Sequence, residues 1–118
     1  MSYYPLNSIP DYYGIDDLLT EEHILIRNSV RDWVQSFIMP QIDDAAQHHK
    51  DIPNLMKELG AIGALGPYIP EEYGGAGLDQ ISYGLIMQEL ERGDSAVRSA
   101  ASVQSSLVMF PIFEFGSK

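Results

Sequence analysis

Apolar residues recur every three or four positions through much of this chain, and nowhere do they alternate in steps of two. Ile26, Val30, Trp33, Val34, Phe37 and Ile38 set the pattern. That period puts one apolar stripe on an α-helix and leaves a strand no consistent inner face. Thr20 is a good cap for this helix, and Glu21 and Glu22 suit its positively polarised first turn. Pro40 kinks or ends it, and the stretch to about His49 can resume as helix.

The same reasoning carries along the chain. Pro53 suits the first turn of a short second helix with Leu55, Met56 and Leu59 as its buried stripe. Gly60, Gly63 and Gly66 then arrive every third residue, a spacing that permits close backbone packing. Pro67, Pro70 and Gly74-Gly75-Ala76-Gly77 predict a loop. Asp79 caps a third helix, with Ile81, Leu85, Ile86 and Leu90 inward and Gly93 as its stop. Asp94 or Ser95 caps a fourth, to about Met109, before Pro111 and a crowd of phenylalanines. Residues 1–19 carry no helical period and read as an extended arm whose tyrosines cover the body. The expected fold class is all-α, an antiparallel helical bundle with one long glycine-rich loop.

Composition narrows the function. The chain has 118 residues, enough for one domain with a core that buries about two-thirds of the unfolded surface. It has no cysteine, which removes disulfides, thiolate metal sites and cysteine nucleophiles. Seventeen acidic residues against seven basic ones give a formal charge of -10, so phosphate-rich partners are repelled: no nucleic acid and no anionic membrane is expected. No apolar run approaches the roughly 20 residues that cross a bilayer. No signal or transit peptide is visible, which makes cytoplasmic the default location.

Most candidate chemistry dissolves on inspection. The glycine-rich loop follows no strand, opens no helix, carries no lysine and holds Glu71 and Glu72, so it does not read as a phosphate cradle. His48 and His49 are adjacent and point apart, unlike a helical zinc pair, and His23 stands alone. Glu89 and Glu91 diverge around their helix, and a solvated acidic surface is the expected reading for them and for Glu71 and Glu72. The fourth helix is different. Ser95, Ser99, Ser102 and Ser106 fall on one stripe with Arg98 at its border. Two readings stay open: a hydroxyl-lined ligand channel with Arg98 as an anion clamp, or a solvated serine face with Arg98 paired to Asp94.

Residues 89–109, Glu-Leu-Glu-Arg-Gly-Asp-Ser followed by Arg-Ser-Ala-Ala-Ser-Val-Gln-Ser-Ser-Leu-Val-Met, resemble the acyl-CoA dehydrogenase family, most of all its glutaryl-CoA branch. Thr-Glu-Glu-His-Ile-Leu-Ile-Arg (20–27), Glu-Leu-Gly-Ala-Ile-Gly-Ala-Leu-Gly-Pro (58–67) and Ile-Pro-Glu-Glu-Tyr-Gly-Gly-Ala-Gly (69–77) add to the likeness. It covers about residues 15–118. The loop is generic to the family, and the surroundings of Arg98 are more specific.

The resemblance implies a helical N-terminal domain over 20–118, followed in the family by a β-domain and a C-terminal helical domain. FAD lies between those two and a neighbouring subunit of a homotetramer. The catalytic base is a glutamate of the C-terminal domain, so no catalytic residue is expected here. The chain is expected to stop before the last helix of its own domain, to need the remaining domains, and to be inactive alone. The substrate implied is an acyl-CoA, glutaryl-CoA above all, oxidised and decarboxylated to crotonyl-CoA. By resemblance Arg98 binds the distal carboxylate, with Ser99 beside it and Ser102 as a further contact. Two alternatives remain: the same domain of a short-chain acyl-CoA dehydrogenase, or a non-enzymatic helical interaction module that docks through its C-terminal phenylalanines.

Overall fold

The computed structural model describes residues 10–118, and Tyr3 and Tyr4 of the arm lie outside that range. The described residues form six α-helices and no strand: α1 (Glu21–Trp33), α2 (Met39–His48), α3 (Leu55–Ala61), α4 (Gln80–Gly93), α5 (Ser95–Ser102) and α6 (Phe110–Phe115). Within the described part of the arm, Ile15–Leu18 forms a short 3-10 turn, and Tyr12 and Tyr13 stand exposed instead of covering the body.

Local signals set the helix starts. The Thr20 hydroxyl accepts the His23 amide, and His23 Nδ1 accepts the Thr20 amide, closing a reciprocal cap in which histidine replaces the usual glutamate. Asp79 accepts the Ser82 amide at 2.7 Å, and Asp94 accepts the Val97 amide at 3.0 Å. His49, in the left-handed conformation at φ 52°, ends α2.

Neither interior proline breaks its helix. A π-helical segment, Val34–Ile38, joins α1 to α2, and another, Val103–Met109, joins α5 to α6. Each ends two residues before a proline, Pro40 and Pro111. In an α-helix the proline ring collides with the carbonyl four residues back and leaves it without a donor. The wider π turn shifts that register. Met39 donates to Val34, and Phe110 to Ser105, each five residues back. Both helices therefore continue through their prolines.

The core gathers Val30, Val34, Ile38, Leu59, Ile86, Leu90, Val97 and Ala101. Three contacts give the direction of the central pair. His23 meets Asp79, Arg31 meets Glu89, and Val34 meets Gly93. Starts lie beside starts and ends beside ends, so α1 and α4 run parallel. The bundle is all-α as expected, but the antiparallel relation belongs to α4 and α5, where Tyr83 meets Ser106 and Glu91 meets Arg98. The connection over 49–79 is long enough to carry the chain back for a parallel pairing, while the turn at Asp94 allows only reversal.

Two glycines act by packing more than by stopping a helix. Gly93 remains helical, and a Cβ there would sit 2.5 Å from Val34 Cγ1. Gly66, at φ 59°, would put its Cβ 2.5 Å from Met109 Cε. Gly63 has open space around it, so close packing is not general to the glycine series. Met56, expected to be buried, is half-exposed, while Leu59 is fully enclosed.

Candidate functional site

The turn at Asp94 folds α5 back against α4. It brings Arg98, on the second turn of α5, to Glu91, on the last turn of α4. Arg98 Nε donates to Glu91 Oε2 at 2.6 Å, and Nη1 donates to Ser102 Oγ at 3.2 Å. The Ser102 hydroxyl in turn donates a hydrogen bond to the Ser99 carbonyl, 3.2 Å away. Ser95 Oγ donates to the other Glu91 oxygen at 2.5 Å. A guanidinium carries five N–H donors. Two are engaged here, which leaves three without a protein partner on a side chain 36% exposed. The hydroxyl of half-buried Ser99 makes no side-chain hydrogen bond.

Arg98, Ser99 and Ser102 are thus brought together. The Asp94 carboxylate is occupied as a helix cap and does not pair with Arg98. Glu91 is the member that sequence reasoning placed on a solvated acidic surface. Its carboxyl is held below the ordinary range, first by the Arg98 hydrogen bond and then by Ser95. The signal was present in the sequence: a short Gly93-Asp94 turn lays residue 91 over residue 98.

Glu89 departs further from the solvated reading. It is wholly buried, and Arg31 grips both its oxygens, Nε to Oε2 at 3.1 Å and Nη2 to Oε1 at 2.9 Å. That hydrogen bond raises the Arg31 pKa above its ordinary value.

The serine stripe splits along its length. Ser95, Ser99 and Ser102 gather around Arg98 and Glu91. Ser106 instead bonds the Tyr83 hydroxyl at 2.6 Å. Ser105, outside the predicted stripe, is the buried one: it accepts the Gly66 amide at 2.9 Å and donates to the Ala64 carbonyl at 3.3 Å. The π segment changes the phase of the helix, so a stripe drawn at 100 degrees per residue fails beyond residue 102.

The glycine-rich loop spends its amides on itself. Gly74 donates to Glu71, Gly75 to Pro70 and Gly77 to Ile69, which leaves no nest for a phosphate. The residues of this loop therefore do not fit a flavin pyrophosphate. Among the described residues no group of three His, Cys, Asp or Glu side chains is arranged to hold a metal, and no helix is long and apolar enough to cross a membrane.

Residues 20–118 match the profile "Acyl-CoA dehydrogenase, N-terminal domain". The chain belongs to the acyl-CoA dehydrogenase family. A glutaryl-CoA dehydrogenase from Mycobacterium smegmatis in complex with FADH2 superimposes with a TM-score of 0.86 at 38% identity, over 99% of this chain and 29% of that one. A second glutaryl-CoA dehydrogenase structure from the same organism gives 0.81 and 42%, over 89% and 27%. The human mitochondrial short-chain specific acyl-CoA dehydrogenase is 35% identical over 100 residues, 85% of this chain and 24% of that protein. The chain therefore spans about a quarter of the length of the relatives it matches.

Proposed function

We propose that this acyl-CoA dehydrogenase domain serves a flavin-dependent enzyme of the glutaryl-CoA type, in which it walls the acyl pocket and holds the substrate's distal carboxylate. The observation that carries this reading is Arg98. It is an arginine with three unspent donors, anchored from behind by Glu91 and flanked by the free hydroxyl of Ser99. A carboxylate fits that remaining fork through two parallel hydrogen bonds. Identities of 38% and 42% to glutaryl-CoA dehydrogenases over most of this chain support the same substrate class.

Glu91 fixes Arg98 through Nε, and Ser102 through one side of Nη1, so the open edge is pre-aimed. Pre-aiming cuts the ordering cost of binding. A monocarboxylic acyl group leaves that edge unmatched, which is the basis of discrimination. In this reading FAD, held by the other domains, would supply the hydride acceptor. The α-proton goes to a glutamate of those domains, and a homotetramer completes the site. The residues of this chain bind and orient; they transfer no proton. The reading keeps a cytoplasmic location, which fractionation of source cells checks.

The similarity to the human short-chain enzyme favours a second reading, an aliphatic short-chain substrate. Anaerobic bleaching of the flavin in the full-length enzyme separates the two. Glutaryl-CoA should bleach it more effectively than butyryl-CoA. Arg98→Ala should lower kcat/KM on glutaryl-CoA by roughly 3–5 kcal/mol, two orders of magnitude or more, and leave butyryl-CoA nearly unchanged. Equal losses on both substrates would remove the clamp. Bleaching by butyryl-CoA alone would select the short-chain reading.

A further inference from the structure

Glu89 and Glu91 of α4 each pair with an arginine, and the two pairs differ at one hydroxyl. Arg31 gives Glu89 two bonds, Nε to Oε2 at 3.1 Å and Nη2 to Oε1 at 2.9 Å. Arg98 gives Glu91 one, Nε to Oε2 at 2.6 Å. Its Nη1 turns to Ser102, and its Nη2 meets no acceptor among the described residues. The same two kinds of side chain therefore close a fork in one place and leave it open in the other. The difference lies at the second carboxylate oxygen. Oε1 of Glu91 accepts the Ser95 hydroxyl at 2.5 Å, the short end of the range for such bonds. The competing donor at Glu89 Oε1, the Gln88 side-chain amide, stands off at 3.3 Å.

Ser95 is placed to hold this oxygen. It opens α5, directly after the Asp94 cap and four positions beyond Glu91. Asp94 already accepts the Val97 amide, so the Ser95 hydroxyl is not needed as the cap. Side-on pairing of a carboxylate with a guanidinium needs both oxygens in the guanidinium plane. A hydroxyl at 2.5 Å ties one oxygen to the start of α5 and keeps the second N–H···O bond from forming. Without that hydroxyl, Glu91 is free to turn and take Nη2 of Arg98, as Glu89 takes Nη2 of Arg31. The fork is then closed on the protein's own carboxylate and no longer offered to a ligand.

We infer that Ser95 is a positioning residue: by holding Glu91 Oε1 it keeps Arg98 singly bonded to that glutamate and its Nη2 edge open for the substrate's distal carboxylate. This rests on the Arg98 reading above, and Ser95 acts in it only through Glu91. The test is steady-state kinetics of the full-length enzyme on glutaryl-CoA and butyryl-CoA. Ser95→Ala should raise KM for glutaryl-CoA by about fivefold with kcat close to the parent's, and lower the preference for glutaryl-CoA by the same factor. Ser95→Thr, which keeps the hydroxyl, should restore KM. In an Arg98→Ala background, Ser95→Ala should cause no further loss of kcat/KM on glutaryl-CoA, since its effect passes through that arginine. An unmoved KM, an equal rise for both substrates, no rescue by threonine, or an effect that persists without Arg98 would overturn the inference. If Arg98→Ala spares glutaryl-CoA, the carboxylate clamp falls and this inference with it. If Arg98→Ala is costly and Ser95→Ala is not, the clamp stands and the role of Ser95 alone is discarded.

Discussion

Glu89 and Glu91 leave the same turn of α4 and meet opposite fates. Glu89 points into the bundle, loses all contact with water and is held at both oxygens by Arg31. Glu91 points along the surface and takes one hydrogen bond from Arg98, and with a second going to Ser102 three donors of the arginine stay free. A carboxylate buried with a matched fork holds two helices in register. One at the surface holds only a side chain, and leaves that side chain available. Position around one helical turn separates a structural ion pair from a poised one.

The largest expected effect removes the buried carboxylate. Glu89→Ala strands the Arg31 guanidinium, whose side chain is 17% exposed, without its partner. The expected loss is roughly 3–5 kcal/mol of unfolding free energy, read by urea denaturation. A loss below about 1 kcal/mol, the range of exposed pairs, would erase the contrast between the two glutamates.

Gly93 sharpens the comparison, because it lies between these pairs and the turn that separates them. Gly93→Ala places a methyl against Val34, a fully buried β-branched side chain with little freedom to yield. Overpacking of this kind costs roughly 1–3 kcal/mol. Thermal denaturation of the variant checks it. An unchanged midpoint would mean that α1 and α4 are not fixed at this distance.

What the sequence made visible follows the range of each interaction. The caps at Thr20, Asp79 and Asp94 act within three residues, and residue type alone reveals them. Arg98 and Ser102, one turn apart, were legible together for the same reason. Arg31 and Glu89 are 58 positions apart, so nothing local marks Glu89 as buried. The parallel course of α1 and α4 was hidden likewise, since it depends on how the segment 49–79 returns. Pro40 and Pro111 mark trouble in a helix but do not say whether it ends or widens. It widens here because the apolar period continues on both sides and burial favours an unbroken helix. That widening then misplaces Ser105 and Ser106.

At the other end of the α1–α4 pair, His23 Nε2 and Asp79 Oδ2 meet at 2.8 Å. Nδ1 of His23 accepts the Thr20 amide, so Nε2 carries the proton and donates it to Asp79. The Asp79 carboxyl is pulled down from 3.8 to about 2, chiefly by the Ser82 amide and then by His23. Its folded pKa lies below its unfolded one. The stabilisation is therefore fully present above about pH 4 and is lost as pH falls through about 2. Asp79→Asn should be less stable than the parent at pH 5, with the gap closing between pH 4 and pH 2. A gap that stays constant across this range would show that the charge of Asp79 contributes nothing.

The smallest expected change in stability belongs to Arg98, and it completes the contrast. The pair with Glu91 is exposed at both ends, 36% and 46% by side chain. Such pairs contribute about 1 kcal/mol or less, and salt screens them, with a Debye length of about 3 Å at 1 M. Arg98→Ala should thus cost under about 1 kcal/mol in dilute buffer and almost nothing in 1 M sodium chloride. The cost of Glu89→Ala should persist in salt, because the Arg31 fork sits against a carboxylate that ions do not reach. Paired urea denaturations at both salt concentrations make the comparison. If the Arg98→Ala deficit is large and indifferent to salt, this arginine is holding the fold together, and its open donors are not held in reserve for a substrate. If the deficit is small and screened, the fold keeps Arg98 at little expense to its own stability, as a residue selected for contact with something else would require.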